Sequence, residues 1–327
     1  MPAPIYVTRQ IPQPALDRLA QAGLRFDLYP EDQVIPRDRL LREVENREGI
    51  LCILTDTIDK DVFEHANRAR IFANYAVGYN NIDVAEASRR GIAITNTPGV
   101  LTDATADLTW SLILSTARRI VESDVFLRAG KFTGWGPLFF LGQDITEKTL
   151  GIVGLGRIGK AVAERAAAFR MNILYTSEER ETAFEQHYPY SIEFTDLPGV
   201  LGRSDIVTIH VPLMPETTHL ISEKELHLMQ PHAILINTAR GPIVDEAALA
   251  KALEQKWIWG AGLDVFEDEP KVYPGLLPLP NAVIIPHLGS ATFQTRNRMG
   301  LIAVENLIAF FQGQKPPNLV NDEVWKS

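Results

Sequence analysis

The stretch "TLGIVGLGRIG", residues 149–159, decides the fold of this 327-residue chain. It begins as an apolar strand and continues into three glycines with the spacing G-x-G-x-x-G, namely Gly154, Gly156 and Gly159. The first glycine permits a tight turn, the second lets a pyrophosphate approach the backbone, and the third lets the next helix pack on the strand. That helix places the amides of Arg157 and Ile158 at its N-terminus, where the helix dipole attracts anions. The stretch predicts a dinucleotide-binding site, and the alternative is a tight turn without a ligand.

The residues after the next strand bear on the choice of cofactor. In such a fold an acidic residue there binds the ribose 2′-hydroxyl of NAD, and a basic residue binds the 2′-phosphate of NADP. Here the strand "NILYT" (172–176) is followed by Ser177, Glu178, Glu179 and Arg180. Two carboxylates near a phosphate cost roughly 1 kcal/mol or more even when screened by salt. Glu178 can instead accept hydrogen bonds from the ribose diol, so the sequence favours NAD. NADP is the alternative, with Ser177 and Arg180 binding its phosphate.

Two series of alternating strands and helices predict an α/β protein with two Rossmann-like domains, each a doubly wound parallel sheet, and a cleft between them. Strand candidates are 5–8, 25–29, 49–54, 70–75, 92–96, 149–156, 172–176, 205–212, 233–237, 259–265 and 282–286. A closing helix is expected over 291–313. If that helix returns to the first domain, a flavodoxin-like substrate domain comprises 1–99 plus 287–327, and the dinucleotide-binding domain comprises 100–286.

One long helix is expected over 103–129, with Thr102 or Asp103 as its N-cap and Gly130 at its end. The segment after it, 130–146, is rich in glycine and proline and carries large apolar side chains, namely Trp135, Leu138, Phe139 and Phe140. Because a loop hides such side chains poorly, we interpret the segment as an arm that packs on a partner subunit. The alternative is a loop that folds back on its own core.

The composition argues against several partners and sites. A net charge of −9 without a Lys/Arg block disfavours nucleic acid. No charged leader precedes an apolar segment and no apolar run reaches about 18 residues, so neither secretion nor a membrane partner is expected. The seven histidines lack H-E-x-x-H spacing, so no metal is expected. The single cysteine, Cys52, lies in the apolar run "GILCILT" and is expected to be a buried thiol in a cytoplasmic protein.

Ionisable residues follow three of the later predicted strands. Arg240 follows "AILIN", Asp264 and Glu269 follow the next strand, and His287 follows the last. Because the carboxyl ends of strands in an open α/β sheet face the ligand crevice, these side chains are expected to converge beside the nicotinamide. Taken singly, each is more often a surface charge or a satisfied polar group.

Such a set suits hydride transfer to a 2-keto acid. The planar fork of Arg240 would bind the keto oxygen and the carboxylate. His287 would donate a proton to that oxygen as hydride reaches the carbon, and would take it back in the reverse direction. Glu269 would hold the imidazole in one tautomer and favour its protonated form.

These stretches together resemble the D-2-hydroxyacid dehydrogenase family, nearly from end to end. The likeness rests on "NYAVGYNNIDVAEASRRGI", "GLGRIG", "HVPLMPETTHLI", "INTARGPIVDE", "DVFEDEP" and "PHLGSAT". Within the family, residues 130–159 look most like the glyoxylate and hydroxypyruvate reductases. The resemblance implies the same roles for Arg240, Glu269 and His287, a homodimer, and a small 2-keto acid substrate. In one respect the chain departs from the family, since NAD-specific members usually have Asp where Ser177 stands.

The resemblance also implies further site residues. Leu54, Val77 and Gly78 would bind the substrate, the latter two through backbone amides that Gly78 leaves accessible to a small anion. The alternative for that turn is a plain strand-to-helix connection. Besides the glycine loop and residues 177–178, the cofactor would contact a larger set, namely Thr105, Val211, Pro212, Thr217, Thr238, Ala239, Asp264 and Gly289.

Other functions stay open. Another member of the family could act on phosphite, formate, 3-phosphoglycerate or a bulkier keto acid; Glu269 argues against formate, because the formate enzymes replace that glutamate. A different class is an NAD-sensing corepressor on the same fold, and turnover of NADH with glyoxylate discriminates between the two classes.

Overall fold

The computed structural model describes residues 4–325. It has two compact units, one of which runs to Leu101 and resumes at Ser290, while the other is Thr102–Gly289. The second boundary thus lies three residues later than the sequence suggested, so His287 belongs to the nucleotide-binding unit. The reason is a tertiary contact within the second unit: the Asp264 carboxylate accepts hydrogen bonds from the backbone N–H groups of Leu288 and Gly289.

Within the described residues the strands are β1 (Ile5–Val7), β2 (Phe26–Leu28), β3 (Gly49–Ile53), β4 (Ile71–Tyr75), β5 (Ala93–Thr95), β6 (Thr149–Val153), β7 (Asn172–Thr176), β8 (Ile192–Phe194), β9 (Ile206–Ile209), β10 (Ile234–Asn237), β11 (Gly260–Leu263) and β12 (Ala282–Ile284). The α-helices are α1 (Gln13–Gln21), α2 (Arg37–Glu43), α3 (Lys60–His65), α4 (Val84–Arg89), α5 (Thr102–Ala117), α6 (Ile120–Arg128), α7 (Arg157–Ala166), α8 (Thr182–Glu185), α9 (Leu197–Arg203), α10 (Glu223–Leu228), α11 (Glu246–Glu254) and α12 (Phe293–Phe311).

The first unit is a parallel five-stranded sheet in the order β2-β1-β3-β4-β5. This is the doubly wound, flavodoxin-like order. Its central strands β1 and β3 are apolar and almost entirely buried, as expected when helices cover both faces. The last helix, α12, packs on α1 and β4. Gly300 permits the close approach, because a Cβ there would lie 2.8 Å from that of Ala15.

The second unit is a parallel seven-stranded sheet in the order β12-β11-β10-β9-β6-β7-β8. All its pairings are parallel, and the strand order reverses between β6 and β9. Ligands of open α/β sheets bind outside the carboxyl ends of the strands at such a switch point. The predicted α/β class with two parallel sheets is therefore confirmed.

Two details of this unit differ from the sequence-based expectations. The prediction of a single helix over 103–129 is wrong, because the helix is interrupted between α5 and α6 at Arg119, whose φ is +53°. The backbone of Gly142 crosses the end of α5, where Gln143 donates its N–H to the Ala117 carbonyl at 2.8 Å. The edge strand β8 was not expected, since it is short and largely exposed.

Two properties of the described residues bear on the earlier expectations. Cys52 is fully buried in β3. Among residues 4–325, none of the helices combines the length and apolar character needed to cross a bilayer.

Candidate active site

The glycine loop joins β6 to α7, with Gly156 as the N-cap of the helix. Gly154 has φ +97°, and a Cβ there would lie 2.9 Å from the backbone nitrogen of Val211. A Cβ on Gly159 would overlap the Gly154 carbonyl oxygen. A Cβ on Gly156, in contrast, would meet nothing within 4 Å. Two of the glycines are thus required by packing, whereas Gly156 leaves open space beside a helix N-terminus, which fits a dinucleotide pyrophosphate.

The residues after β7 differ in what surrounds them. Ser177 is partly exposed, and Glu178 and Glu179 are exposed. The guanidinium of Arg180 forks onto Glu185, with Nε–Oε1 at 3.0 Å and Nη2–Oε2 at 2.9 Å. The same carboxylate accepts the Tyr175 hydroxyl at 2.7 Å, and the hydrogen bonds from Arg180 and Tyr175 hold the pKa of Glu185 below its usual value. The one cation of residues 177–180 is therefore paired with an acid of the same unit.

Glu269 and His287 are joined by a hydrogen bond of 2.9 Å between Oε2 and Nδ1. The other carboxylate oxygen of Glu269 accepts the backbone N–H of Phe266 at 3.1 Å. Burial raises the pKa of Glu269, but the hydrogen bond and charge of His287, the Phe266 N–H and the charge of Arg240 together outweigh it, so the pKa lies below its usual value. The carboxylate that faces Nδ1 of His287 is therefore ionised at neutral pH.

Arg240 lies close enough to Glu269 for the two charges to interact. Burial lowers the pKa of Arg240, and the charge of Glu269 opposes that shift. Arg240 in turn helps to lower the pKa of Glu269. The structure thus brings together the three side chains that follow β10, β11 and β12.

The turn that carries Arg240 is held by Asn237, the last residue of β10. Its side-chain amide donates to the Arg240 carbonyl at 2.9 Å, and its oxygen accepts the Ala239 N–H at 3.0 Å. The Thr238 hydroxyl lies 2.9 Å from that of Thr109. Asn237 was not among the expected site residues, although an asparagine at a strand end is a recognisable signal for such a turn.

His287 sits at φ +52° and is supported by its neighbours. Its backbone N–H donates to the Asp264 carbonyl at 2.8 Å, and Asp264 accepts the Leu288 and Gly289 N–H groups at 2.5 and 2.8 Å. Thr105 donates to the Gly289 carbonyl at 3.1 Å. Burial raises the pKa of Asp264, against the effect of those N–H donors. Asp264 therefore fixes the His287 loop in addition to any role toward a cofactor.

Three of the residues that the resemblance assigns to the cofactor, Val211, Pro212 and Thr217, lie in one segment next to the glycine loop. The backbone of Val211 lies against Gly154, as described above. The Thr217 hydroxyl donates to the Pro212 carbonyl at 2.7 Å and accepts the Met214 N–H at 2.8 Å. The Thr217 side chain thus holds residues 212–217 together by hydrogen bonds within the segment.

The three residues expected to contact the substrate, Leu54, Val77 and Gly78, lie in the first unit, after the neighbouring strands β3 and β4. Leu54 is partly exposed. The Val77 carbonyl accepts the Asn96 side-chain amide at 2.8 Å, and the Gly78 carbonyl accepts that of Asn74 at 3.0 Å. Side-chain amides therefore fix the Val77–Gly78 and Gly78–Tyr79 peptide groups, the first of which carries the Gly78 N–H.

The strand order, the glycine loop and the Arg–Glu–His set define an enzyme class: an α/β oxidoreductase that uses a nicotinamide dinucleotide. Residues 110–289 match the family model described as "D-isomer specific 2-hydroxyacid dehydrogenase, NAD binding domain". The chain belongs to the D-isomer-specific 2-hydroxyacid dehydrogenase family, and its enzymatic class and NAD-binding domain are confirmed.

Three relatives illustrate the likeness. A glyoxylate reductase of Thermococcus gammatolerans is 50% identical over 326 residues, which cover 98% of this chain and 97% of that protein. A crystal structure of a Thermus thermophilus protein matches with a TM-score of 0.90 and 44% identity, covering 97% of this chain and 99% of the other. The NADPH-dependent glyoxylate/hydroxypyruvate reductase of Sinorhizobium meliloti, in complex with NADP and malonate, matches with a TM-score of 0.84 and 33% identity, covering 99% and 98%.

Proposed function

We propose that the protein reduces a small 2-keto acid, glyoxylate or hydroxypyruvate, to the corresponding 2-hydroxy acid with NADH. The observation that carries the proposal is the hydrogen bond between His287 and Glu269 beside Arg240, at the ends of three neighbouring strands. Relatives about half identical over nearly the whole chain, named glyoxylate reductase, support the substrate.

Each member of the set has one task in this proposal. Arg240 binds the keto oxygen and the carboxylate of the substrate and orients the carbonyl. His287 gives its proton to the carbonyl oxygen, and Glu269 holds the imidazole in place through Nδ1. The bound NADH supplies the hydride that reaches the carbonyl carbon.

The proposed cofactor site lies in the second unit. The pyrophosphate binds at Gly156 and the amides of Arg157 and Ile158, where the structure leaves room. The ribose diol binds Glu178, which is exposed at the end of β7. The pairing of Arg180 with Glu185 supports NADH over NADPH, because a neutralised guanidinium attracts a 2′-phosphate less. The remaining proposed contacts are Thr105, Ser177, Val211, Pro212, Thr217, Thr238, Ala239, Asp264 and Gly289.

The proposed contribution of the first unit is to bind the substrate carboxylate through the amides of Val77 and Gly78, with Leu54 beside them. The peptide groups that carry these two amides are fixed, because the Ala76 carbonyl accepts the Thr97 N–H at 2.8 Å and the Val77 carbonyl accepts the Asn96 side-chain amide at 2.8 Å, and this supports the role. A preorganised amide pair loses little entropy when it binds a small anion.

We infer in addition that the protein is a homodimer. Helix α6 has no buried residue, and Val125 and Leu127 on it are 63% and 57% exposed. In the following arm Trp135 is 84% and Leu138 is 82% exposed, although Phe139 and Phe140 pack on Phe126 of the same chain. So much contiguous apolar surface is unusual for a monomer and fits an interface between two copies. Sedimentation of the wild type and of Leu138→Glu tests this, and a monomeric wild type would overturn it.

Initial rates with glyoxylate, hydroxypyruvate and pyruvate, each with NADH and NADPH, test the function. Rapid NADH oxidation with one of the first two keto acids is expected. No turnover with any small keto acid would reject the proposal and favour a protein that binds NAD as a sensor.

A further inference from the structure

Two glutamates outside the Arg–Glu–His set accept hydrogen bonds from each other's backbone. Glu246, the first residue of α11, donates its N–H to Oε1 of Glu267 at 2.7 Å. Glu267, in the loop after β11, donates its N–H to Oε1 of Glu246 at 2.8 Å. This reciprocal pair joins the segment that follows Arg240 to the segment that precedes Glu269.

The Glu246 carboxylate reaches both sides of the loop that carries Glu269. Its second oxygen, Oε2, accepts the N–H of Tyr273 at 3.1 Å. The two oxygens therefore hold residues 267 and 273, and Glu269 lies between them. Glu246 is buried, with 5% exposure, while Asp268, Glu269 and Pro270 are exposed. The buried carboxylate of Glu246 thus holds the loop 267–273 by a hydrogen bond at each end.

A second attachment connects the same segments. A Cβ on Gly241 would overlap the carbonyl group of Phe266 and the nitrogen of Glu267. The backbone next to Arg240 therefore lies directly against the backbone that leads to Glu269. On the outer side, His219 Nε2 lies 2.8 Å from Oε2 of Glu267.

The surroundings of Glu246 disfavour its ionised form. Burial raises the pKa of Glu246, and the charges of Glu267 and Asp268 raise it further, while the N–H groups of Glu267 and Tyr273 oppose the shift. A buried carboxylate costs free energy unless it is hydrogen-bonded, and like charges add to that cost. In return for this cost, the Glu246 carboxylate fixes the position of the loop 267–273.

We propose that Glu246 is a positioning residue for the reaction: its carboxylate holds the loop 267–273 so that Glu269 stays at Nδ1 of His287. The proposal rests on the function given above for Glu269 and His287. Glu246 acts through Glu269, and small displacements of the pair matter because productive geometry is narrow.

The first test compares Glu246→Gln with Glu254→Gln, which removes a carboxylate from the exposed end of the same helix. Glu246→Gln is expected to lower kcat/KM for the keto acid by about 10- to 100-fold. The loss appears in kcat rather than in KM, because Glu269 acts on the proposed proton donor and not on substrate binding. The NADH Kd stays within about twofold of the wild type, since the loop 267–273 is not among the groups proposed to hold the dinucleotide. Glu254→Gln changes neither quantity.

The second test is a double-mutant cycle with Glu269→Gln. If Glu246 acts through Glu269, adding Glu246→Gln to Glu269→Gln changes kcat/KM by less than about twofold. Losses that simply multiply would overturn the proposal, as would a loss confined to KM. Should Glu246→Gln fail to fold, Glu267→Ala removes the side chain that accepts the Glu246 N–H, which is the other half of the reciprocal pair, and is expected to give the same non-additive result.

A crystal structure of Glu246→Gln provides a readout that needs no turnover. The distance from Glu269 Oε2 to His287 Nδ1 is expected to exceed about 3.5 Å, the limit of a hydrogen bond. An unchanged distance of 2.9 Å would overturn the positioning role. If instead the wild type turns over none of the keto acids, the proposed function fails, and the structure of the variant still decides whether Glu246 positions Glu269.

Discussion

His287 and Glu269 lie 18 residues apart in the chain, and a hydrogen bond of 2.9 Å joins them. His287 follows β12 and Glu269 follows β11, and the two strands are neighbours in a parallel sheet. The pairing therefore depends on the register of the sheet as well as on the side chains. The hydrogen bond helps to keep Glu269 ionised and occupies Nδ1 of the imidazole. The other ring nitrogen, Nε2, is then the one that can exchange a proton.

Replacing His287 with Ala removes the proposed proton donor. We expect kcat for keto-acid reduction to fall by about 10²- to 10⁴-fold, the usual contribution of a positioned acid. The NADH Kd, measured by fluorescence, should stay near that of the wild type, because His287 is not among the groups that hold the dinucleotide. A large loss of NADH affinity would contradict the assigned position.

Replacing Arg240 with Lys keeps the positive charge and removes the planar guanidinium with its fixed pair of N–H donors. We expect kcat/KM to fall by at least about 10-fold, chiefly through KM, since an ammonium cannot bind the keto oxygen and carboxylate in a fixed plane. Arg118→Lys makes the same exchange at an exposed position and should have no effect. An unchanged kcat/KM for Arg240→Lys would count against the role.

Replacing Glu269 with Gln should change the pH dependence of reduction. Burial raises the pKa of Glu269, but His287, the Phe266 N–H and Arg240 together outweigh burial and lower the pKa, so the wild-type carboxylate is ionised at neutral pH. The wild type should therefore lose activity only at low pH, below the ordinary glutamate value of about 4.3, where Glu269 takes up a proton. The Gln variant carries no charge at any pH, so it should be slower at neutral pH and should lack that acidic decline. The measurement is kcat/KM from about pH 3.5 to 8. Parallel profiles for the two proteins would refute a role for the ionised carboxylate.

Replacing Glu178 with Arg should shift the cofactor preference toward NADPH. The new guanidinium attracts the 2′-phosphate, and the removed carboxylate no longer repels it. The measurement is the ratio of kcat/KM for NADPH and NADH. Glu254→Arg makes the same change of charge at the end of α11, away from the carboxyl ends of the strands, and should leave the ratio unchanged.

Two glycines of one loop should respond differently to Ala. Gly159→Ala makes a Cβ overlap the Gly154 carbonyl oxygen and should lower the free energy of unfolding by about 1–3 kcal/mol. Gly156→Ala meets no protein atom within 4 Å, at φ −78°, so the protein should fold normally. Its NADH affinity should nevertheless fall, because the added methyl occupies space that the pyrophosphate needs. Normal NADH affinity in Gly156→Ala would place the dinucleotide elsewhere.

The sequence by itself determined the features that depend on neighbouring residues. Apolar runs specified the strands β1, β3, β4, β6 and β7, and the spacing of Gly154, Gly156 and Gly159 identified the loop and the helix after it. Ionisable residues after β10, β11 and β12 identified the candidate set, because parallel strands place their carboxyl ends at one edge.

Tertiary structure decided the features that depend on distant segments. The break at Arg119 follows from the passage of Gly142 over the end of α5, and His287 belongs to the second unit because Asp264 holds the two residues after it. The reciprocal pair of Glu246 and Glu267 likewise joins groups 21 residues apart. No periodicity or local motif encodes these contacts, since they form only when the sheet brings the segments together and buried N–H groups and carboxylates must find partners.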